Sequence, residues 1–325
     1  MTDVGQAEGG LAPGEPAADD IILPFQIHPE GSDNSVFHGR LVRFGPLIDE
    51  ILHQHRHPDP VARLVGECCA LTAALAGGLK YDGIFTLQIQ SDGPVSLVVT
   101  DVTTVGELRA YARYDPEKIL GLEDVPGTHV PTLLGRGHLA FTVDQGPRTD
   151  RYQGMVELAG DTIAGCATHY FRQSAQLDAA VMLAADRAGP RRKNGEIGWR
   201  AAGIVLQRLA DARTASLGSA DGDDPWRRAM ILMATGTEVE ILDPALPARR
   251  FVHRLFHQEG LELSAPRQLT RGCRCSPSRI VSVLRGLPRP EVEQLAIDGR
   301  IEVTCEFCNR EFVLDLDELG PAHDR

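Results

Sequence analysis

Apolar positions change period along this chain, and the changes divide it into parts. Between Ile21 and about Arg213, short apolar or alternating runs predict strands at Ser35–Phe44 (SVFHGRLVRF), Gly83–Gln90 (GIFTLQIQ), Val95–Val102 (VSLVVTDV) and Leu139–Val143. Turn residues punctuate them, notably Ser91-Asp92-Gly93-Pro94 and Asp144-Gln145-Gly146-Pro147. Pro60–Leu79 instead carries Ala, Leu and Val at helical spacing up to Gly77-Gly78, so a buried helix is expected there. Asp161–Gln176 opens on an N-cap residue and predicts a second helix. Strand-like Ala179–Ala184 and Ile204–Leu209 flank a basic loop at Arg191–Gly195. Hairpin-linked strands with a few helices imply an α+β core domain, residues 21–216, with a mixed, mostly antiparallel sheet.

The pattern breaks at Leu217–Asp224 (LGSADGDD), a small, acidic stretch. Beyond it Pro225–Thr235 and Ala248–Glu259 predict two short helices, separated by Asp243-Pro244 and Pro247. This helical linker, residues 217–265, mixes apolar side chains (Met230, Ile231, Leu232, Phe251, Leu255, Phe256) with many polar ones. It is too short and broken to hold a core alone, so it must dock on another part of the chain and could undock. Residues 266–325 form the last part. Ser278–Leu287 and Glu291–Ile297 read as short helices, and Arg300–Asp315 alternates like a β-hairpin with two cysteines at its turn.

Composition adds an ordinary globular balance, with 42% hydrophobic and 24% charged residues. The net charge of -12, from 45 acidic against 33 basic residues, argues against nucleic acid or an anionic membrane as the main partner. No stretch approaches the roughly 18–20 apolar residues that span a bilayer. Residues 1–20 (MTDVGQAEGGLAPGEPAADD) lack the basic and apolar regions of a signal peptide and read as a disordered tail, so a cytoplasmic location is expected. In that compartment seven cysteines imply free, metal-bound or redox-active thiols rather than a disulfide framework.

Four of the seven cluster. Cys273-x-Cys275 and Cys305-x-x-Cys308 lie 29 residues apart, the second pair on a strand–turn–strand followed by Asn309 and Phe312. That is the shape of a zinc knuckle, and two such pairs supply the four sulfurs Zn²⁺ prefers in a closed structural site. Cys273, Cys275, Cys305 and Cys308 are therefore the expected metal ligands, for one Zn²⁺ per chain. Arg271, Arg274 and Arg279 stand beside the first pair, where they could offset the negative charge of four thiolates or simply face solvent. A 60-residue segment with this few apolar residues gains only about 3–5 kcal/mol from its core. Structural zinc typically adds roughly 10–16 kcal/mol, so metal decides whether the segment folds. Oxidising the thiolates would remove the ligands and unfold it, together with a linker resting on it.

Other motifs carry blander readings. Cys68 and Cys69, mid-helix among Ala and Leu, read as small buried hydrophobes, and Cys166 as a structural helix residue. His53-x-His55-x-His57 reads as a solvated helix end, because residues two apart on a helix do not face each other. Gly135-Arg136-Gly137 is a turn without the other residues of a phosphate loop, and Arg191-Arg192-Lys193 a solvated hairpin tip.

The cysteine spacing with this domain order resembles the heat-shock protein 33 family, the redox-regulated 33-kDa chaperonins. Ser276-Pro277-Ser278-Arg279, Leu287–Val292 and His169-Tyr170-Phe171-Arg172-Gln173-Ser174-Ala175-Gln176 match as well, although the family usually has Glu where this chain has Ala175. The resemblance covers about residues 21–318. It implies a non-enzymatic, ATP-independent holdase that is reduced, zinc-bound and inactive at rest, and no nucleotide motif is visible. Oxidation is then expected to form Cys273–Cys275 and Cys305–Cys308 disulfides, eject zinc and unfold the linker. The active form, usually a homodimer, would bind unfolding client proteins.

Two other classes compete. A zinc ribbon binding nucleic acid or a partner protein needs a basic face, but residues 266–325 carry nine Arg against ten acidic side chains. A thiol–disulfide oxidoreductase needs C-x-x-C at a helix N-terminus, whereas strand-like Glu311–Leu316 follows Cys308.

Overall fold

The computed structural model describes residues 19–29, 36–122, 128–146, 152–208 and 225–319, so the expected tail up to residue 18 and the acidic stretch at 217–224 lie outside the described residues. Strands β1 (Ile21–Ile27) and β2 (Phe37–Phe44) lead into helices α1 (Pro46–His55) and α2 (Asp59–Ala76). A meander follows, β3 (Ile84–Ser91), β4 (Val95–Thr103) and β5 (Glu107–Tyr114), then two single-turn helices, α3 (Pro116–Ile119) and α4 (Val130–Leu133). Next come β6 (Gly137–Asp144), β7 (Tyr152–Glu157), α5 (Ile163–Gln173) and a long hairpin, β8 (Ala179–Arg191) and β9 (Ile197–Arg208). Helices α6 (Pro225–Ala234), α7 (Glu238–Leu242) and α8 (Ala248–Phe256) precede three short strands, β10 (Leu261–Leu263), β11 (Arg267–Gln268) and β12 (Thr270–Arg271). The chain ends in α9 (Pro277–Arg285), α10 (Arg289–Leu295) and the hairpin β13 (Arg300–Thr304) and β14 (Glu311–Asp315).

The α+β class and the antiparallel pairing are as expected. The strands form two large sheets, one ordered β10-β1-β2-β9-β8 and the other β12-β5-β4-β3-β6-β7. Only the β12–β5 contact between the described strands is parallel. Helix α2 lies between the sheets, packed on β9 and β8 of one and on β4 and β5 of the other. Its sequence, DPVARLVGECCALTAALA, is apolar nearly all round, and its small Ala, Gly and Cys residues let both sheets approach. Cys68 and Cys69 are buried in this core, as read from sequence, and Cys166 on α5 is buried there too.

The first sheet also has an apolar outer face. Alternation along β2 sends Val42 and Phe44 toward α2 and Phe37 and Leu41 to the other side. There they join Leu23, Phe25 and Ile27 of β1 and Ile204 and Leu206 of β9, and helices α6–α8 cover them all. Phe25 stacks on Phe256 at 5.6 Å, and Phe37 meets Trp226 edge-on at 5.2 Å. Gly39 makes the first pair possible, since a β-carbon there would stand 2.0 Å from the Phe25 ring.

Three details differ from the sequence reading. Asp19 and Asp20, assigned to the tail by composition, are engaged: Asp19 pairs with Arg200 at 2.8 Å and Asp20 accepts the Gly45 amide at 2.9 Å before α1. Residues 261–263 and 267–268 add to the edge of β1, too short a pattern to signal a strand alone. The basic hairpin tip is tied down as well, because Arg192 donates to Asp49 at 2.8 Å.

Candidate metal centre and the surfaces beside it

The β13–β14 hairpin closes through a tight turn at Cys305–Asn309. The Cys305 amide donates to Arg310 O at 2.9 Å and the Asn309 amide to Cys305 O at 2.8 Å, with Asn309 in the left-handed region at φ 49°. Asn tolerates that conformation better than most residues. The turn aims the Phe307 and Cys308 amides at the Cys305 sulfur, and the Cys275 amide does the same for Cys273. The second half comes from the loop after β12, where Ser276 caps α9 by accepting the Arg279 amide at 3.2 Å.

These two pieces bring all four cysteines together, with sulfurs within 4.8 Å of one another. Cys273 Sγ lies 3.7 Å from Cys305 Sγ, and Cys275 Sγ 3.3 Å from Cys308 Sγ. A tetrahedral site with Zn–S bonds of about 2.3 Å has sulfur–sulfur edges of about 3.8 Å, so the donor set fits. Burial opposes ionisation of Cys273, but the Cys275 amide and the neighbouring thiols outweigh it and bring the group down to about 7. Burial and those same thiols push Cys275 up, and burial raises Cys305. Without a metal the cluster therefore resists ionising together.

A small apolar cluster of Leu284, Val292, Ile301, Leu314 and Leu319 supports the centre. More of the surroundings belong to the core. Asp101, 3% exposed on β4, accepts from Arg109 at 2.7 Å, from Thr86 at 2.6 Å and from Arg274 between the first two cysteines. Arg109 in turn lies 3.8 Å over the ring of Phe307, between the second two. Arg271 pairs with Glu50 and Gln54, and Asn309 donates to Gln54 O at 2.9 Å. Arg271 and Arg274 thus bind core residues while standing beside the cysteines, and exposed Arg279 donates to Arg274 O at 3.0 Å.

The histidine tract is corrected too. His53 is exposed, but His55 and His57 are partly covered and stack at 5.2 Å. His57 packs edge-on against Tyr114 at 5.6 Å, and His55 Nε2 stands 3.3 Å from Phe307 O. Burial and the neighbouring His55 hold His57 down to about 3. Residues two apart meet because α1 ends between them: Arg56 turns left-handed, at φ 48°.

The linker's apolar cluster is made with the first sheet, whereas the sequence reading rested the linker on the metal-bound segment. Two polar anchors reinforce it. Arg43, 1% exposed on β2, donates to the carbonyls of Asp243 and Leu246, and Arg228 pairs with Glu259 at 2.8 Å. A cavity of about 730 Å³ remains between α2 and α6, with Glu67 on its wall accepting from Thr128 at 2.5 Å. Burial lifts the Glu67 carboxyl from 4.5 to about 7, with Glu238 adding to the effect and Thr128 and Arg63 opposing it. The protonated form thus supports folding below pH 4.5, and the support is lost as pH rises through 7. Glu67→Gln is expected to add about 2 kcal/mol to unfolding free energy at pH 8 and much less at pH 5. Urea midpoints at the two pH values measure this, and an equal gain at both would refute the assignment.

Comparison with known proteins places this architecture. The sequence pattern of the family described as Hsp33 protein matches residues 26–315. A 33 kDa chaperonin of Caulobacter vibrioides is 40% identical over 309 residues, 94% of this chain and 98% of its own length. A 33 kDa chaperonin of Azotobacter vinelandii is 35% identical, over 89% of this chain and 91% of that protein. The crystal structure of the 33 kDa chaperonin (heat shock protein 33 homolog) of Thermotoga maritima superposes with a TM-score of 0.73, covering 92% of this chain and 96% of that one at 20% identity. That likeness extends to the fold, and with the family pattern spanning core, linker and cysteine hairpin, the chain belongs to the Hsp33 family.

Proposed function

We propose that the chain is a redox-regulated, ATP-independent molecular chaperone, a holdase that captures unfolding proteins under oxidative stress in the cytoplasm. One observation carries the reading: α6–α8 cover an apolar sheet face, and the chain leaving them runs directly into the four-cysteine cluster. Covering such a face keeps a protein soluble, and uncovering it creates a surface for other apolar chains.

Bound zinc would crosslink Cys273, Cys275, Cys305 and Cys308 and hold their segment folded. A peroxide or hypohalous acid is the oxidant. With peroxide, a thiolate sulfur attacks one oxygen and becomes a sulfenic acid as water leaves. A second thiol displaces the sulfenic oxygen as water, so each disulfide consumes one peroxide and yields two waters. The proposed pairs are Cys273–Cys275 and Cys305–Cys308. Once the segment loosens, partners one or two residues apart stay close, while those some 30 apart disperse. The Arg274–Asp101 and Arg109–Phe307 contacts then lose their fixed geometry, and the β10–β12 edge strands are free to peel away. The exposed face and linker bind clients, and two such faces can pair in a homodimer. Nucleic acid and membranes are not partners in this reading, and no substrate is turned over.

The test is to oxidise zinc-loaded protein with hypochlorite, or with peroxide at raised temperature, and follow light scattering of a thermally unfolding client. A chromophoric chelator reports zinc in parallel. Suppressed scattering only after oxidation, with about one zinc released per chain, is expected. Equal suppression by reduced protein would make the zinc merely structural, and none in either state would refute the proposal.

A further inference from the structure

Arg40 lies on the α2-facing side of β2, beside Gly78 just past the C-terminal end of α2, and is 7% exposed. One guanidinium nitrogen, Nη2, donates to Gln207, while the buried Nε has no hydrogen-bond partner. Among the described residues no carboxylate pairs with this cation. Burial accordingly pushes the guanidinium down to about 10. Gly78 leaves room for it, since a β-carbon there would stand 1.6 Å from Arg40 Nη1.

The guanidinium borders a cavity of about 410 Å³, within the range of about 300–1,000 Å³ common for small-molecule sites. Its walls carry a continuous aromatic series. Tyr81 and Phe85 lie 6.4 Å apart, Phe85 and Phe141 6.0 Å, Phe141 and Tyr170 4.6 Å, and Tyr170 and Phe171 5.7 Å. Lys80, exposed, adds a second positive charge among the lining residues, and Ala175 contributes only a methyl group. An uncompensated buried cation inside an apolar wall is costly unless an anion meets it. Arginine's planar fork suits a carboxylate, and aromatic walls suit an apolar body.

We propose that this cavity binds a small carboxylic acid with an aromatic or otherwise apolar body, its carboxylate on Arg40 and its body against the Tyr81–Phe171 aromatic series. The site is separate from the cysteine cluster and from the linker-covered face. Ligand binding would brace the C-terminal end of α2 against α5 and β6.

Isothermal titration of reduced, zinc-loaded full-length protein with 4-phenylbutyrate and with its neutral amide tests this. The acid is expected to bind with one-to-one stoichiometry and roughly tenfold or more tighter than the amide. Arg40→Met should erase that preference. Ala175→Glu, which puts a carboxylate on the cavity wall, should weaken the acid and leave the amide less affected. Equal affinity for acid and amide, no heat from either at millimolar concentration, or a preference that survives Arg40→Met would overturn the proposal. The acid–amide comparison needs no variant, so a misfolded substitution does not rescue it.

Discussion

Replacing Cys308 with serine is expected to abolish tight zinc binding and unfold the segment from Gly272 to Leu319, with the core left folded. A serine hydroxyl stays protonated near neutral pH and cannot stand in for a thiolate ligand. The segment's own cluster holds five buried apolar residues, while structural zinc typically contributes roughly 10–16 kcal/mol of apparent folding free energy. Hydrogen exchange at Leu284, Ile301 and Leu314 should rise to unfolded rates, while β2, β9 and α2 stay protected. Native protection at Ile301 and Leu314 in zinc-free protein would sink the idea that metal decides the fold of this segment.

The same variant separates two steps that the sequence reading fused. Helices α6–α8 rest on the outer face of the first sheet through Phe25, Phe37, Phe251 and Phe256, packing that does not pass through the cysteines. Loss of zinc is expected to free the β12 edge and the contacts of Arg274 and Phe307 but to leave that apolar cluster in place. Cys308→Ser should therefore hold clients weakly at 25 °C and fully only on warming, at a lower temperature than reduced wild type. In the proposed switch, metal and linker act in series, one releasing the chain end and the other uncovering the face.

How much of this the sequence carried depends on the range of each signal. The clustering of the four cysteines was legible because C-x-C and C-x-x-C are local patterns, and a hairpin turn between alternating residues is local too. Helix α2 announced its burial by being apolar on nearly every side, yet only the fold shows that the two sheets lie on opposite flanks of it. The pairing of β10 with β1 was not legible, since three residues carry no usable period. Arg40 and Arg43 sit within one strand, FHGRLVRF, where charge normally marks a solvent side. Alternation sends Arg40 toward the core and Arg43 beneath the linker, and both are buried. His55 and His57 failed for a related reason: the rule for residues two apart assumes a continuing helix, and α1 stops between them.

Arg43 supplies the complementary experiment. Its guanidinium is buried between sheet and linker, and it donates to two backbone carbonyls, those of Asp243 and Leu246, that terminate α7 and lead to α8. Charge-assisted bonds contribute about 1.5–3 kcal/mol each, and truncation leaves both carbonyls buried without a donor. Relief of the buried charge offsets part of that loss, because the desolvated guanidinium is itself held down to about 10. A net weakening of linker docking by about 2–4 kcal/mol is expected for Arg43→Ala. Phe256→Ala would loosen the same contact, but it would also remove an apolar side chain from the surface proposed to hold clients. Arg43→Ala leaves that surface intact. It should keep its zinc, retain slow exchange in β13 and β14, and show faster exchange in α6–α8. With the face partly uncovered, reduced protein should suppress client aggregation without oxidant, and adding Cys308→Ser should make the suppression complete at 25 °C. Faster exchange in the linker with no holding activity in either variant would mean that uncovering this face is not what activates the chain.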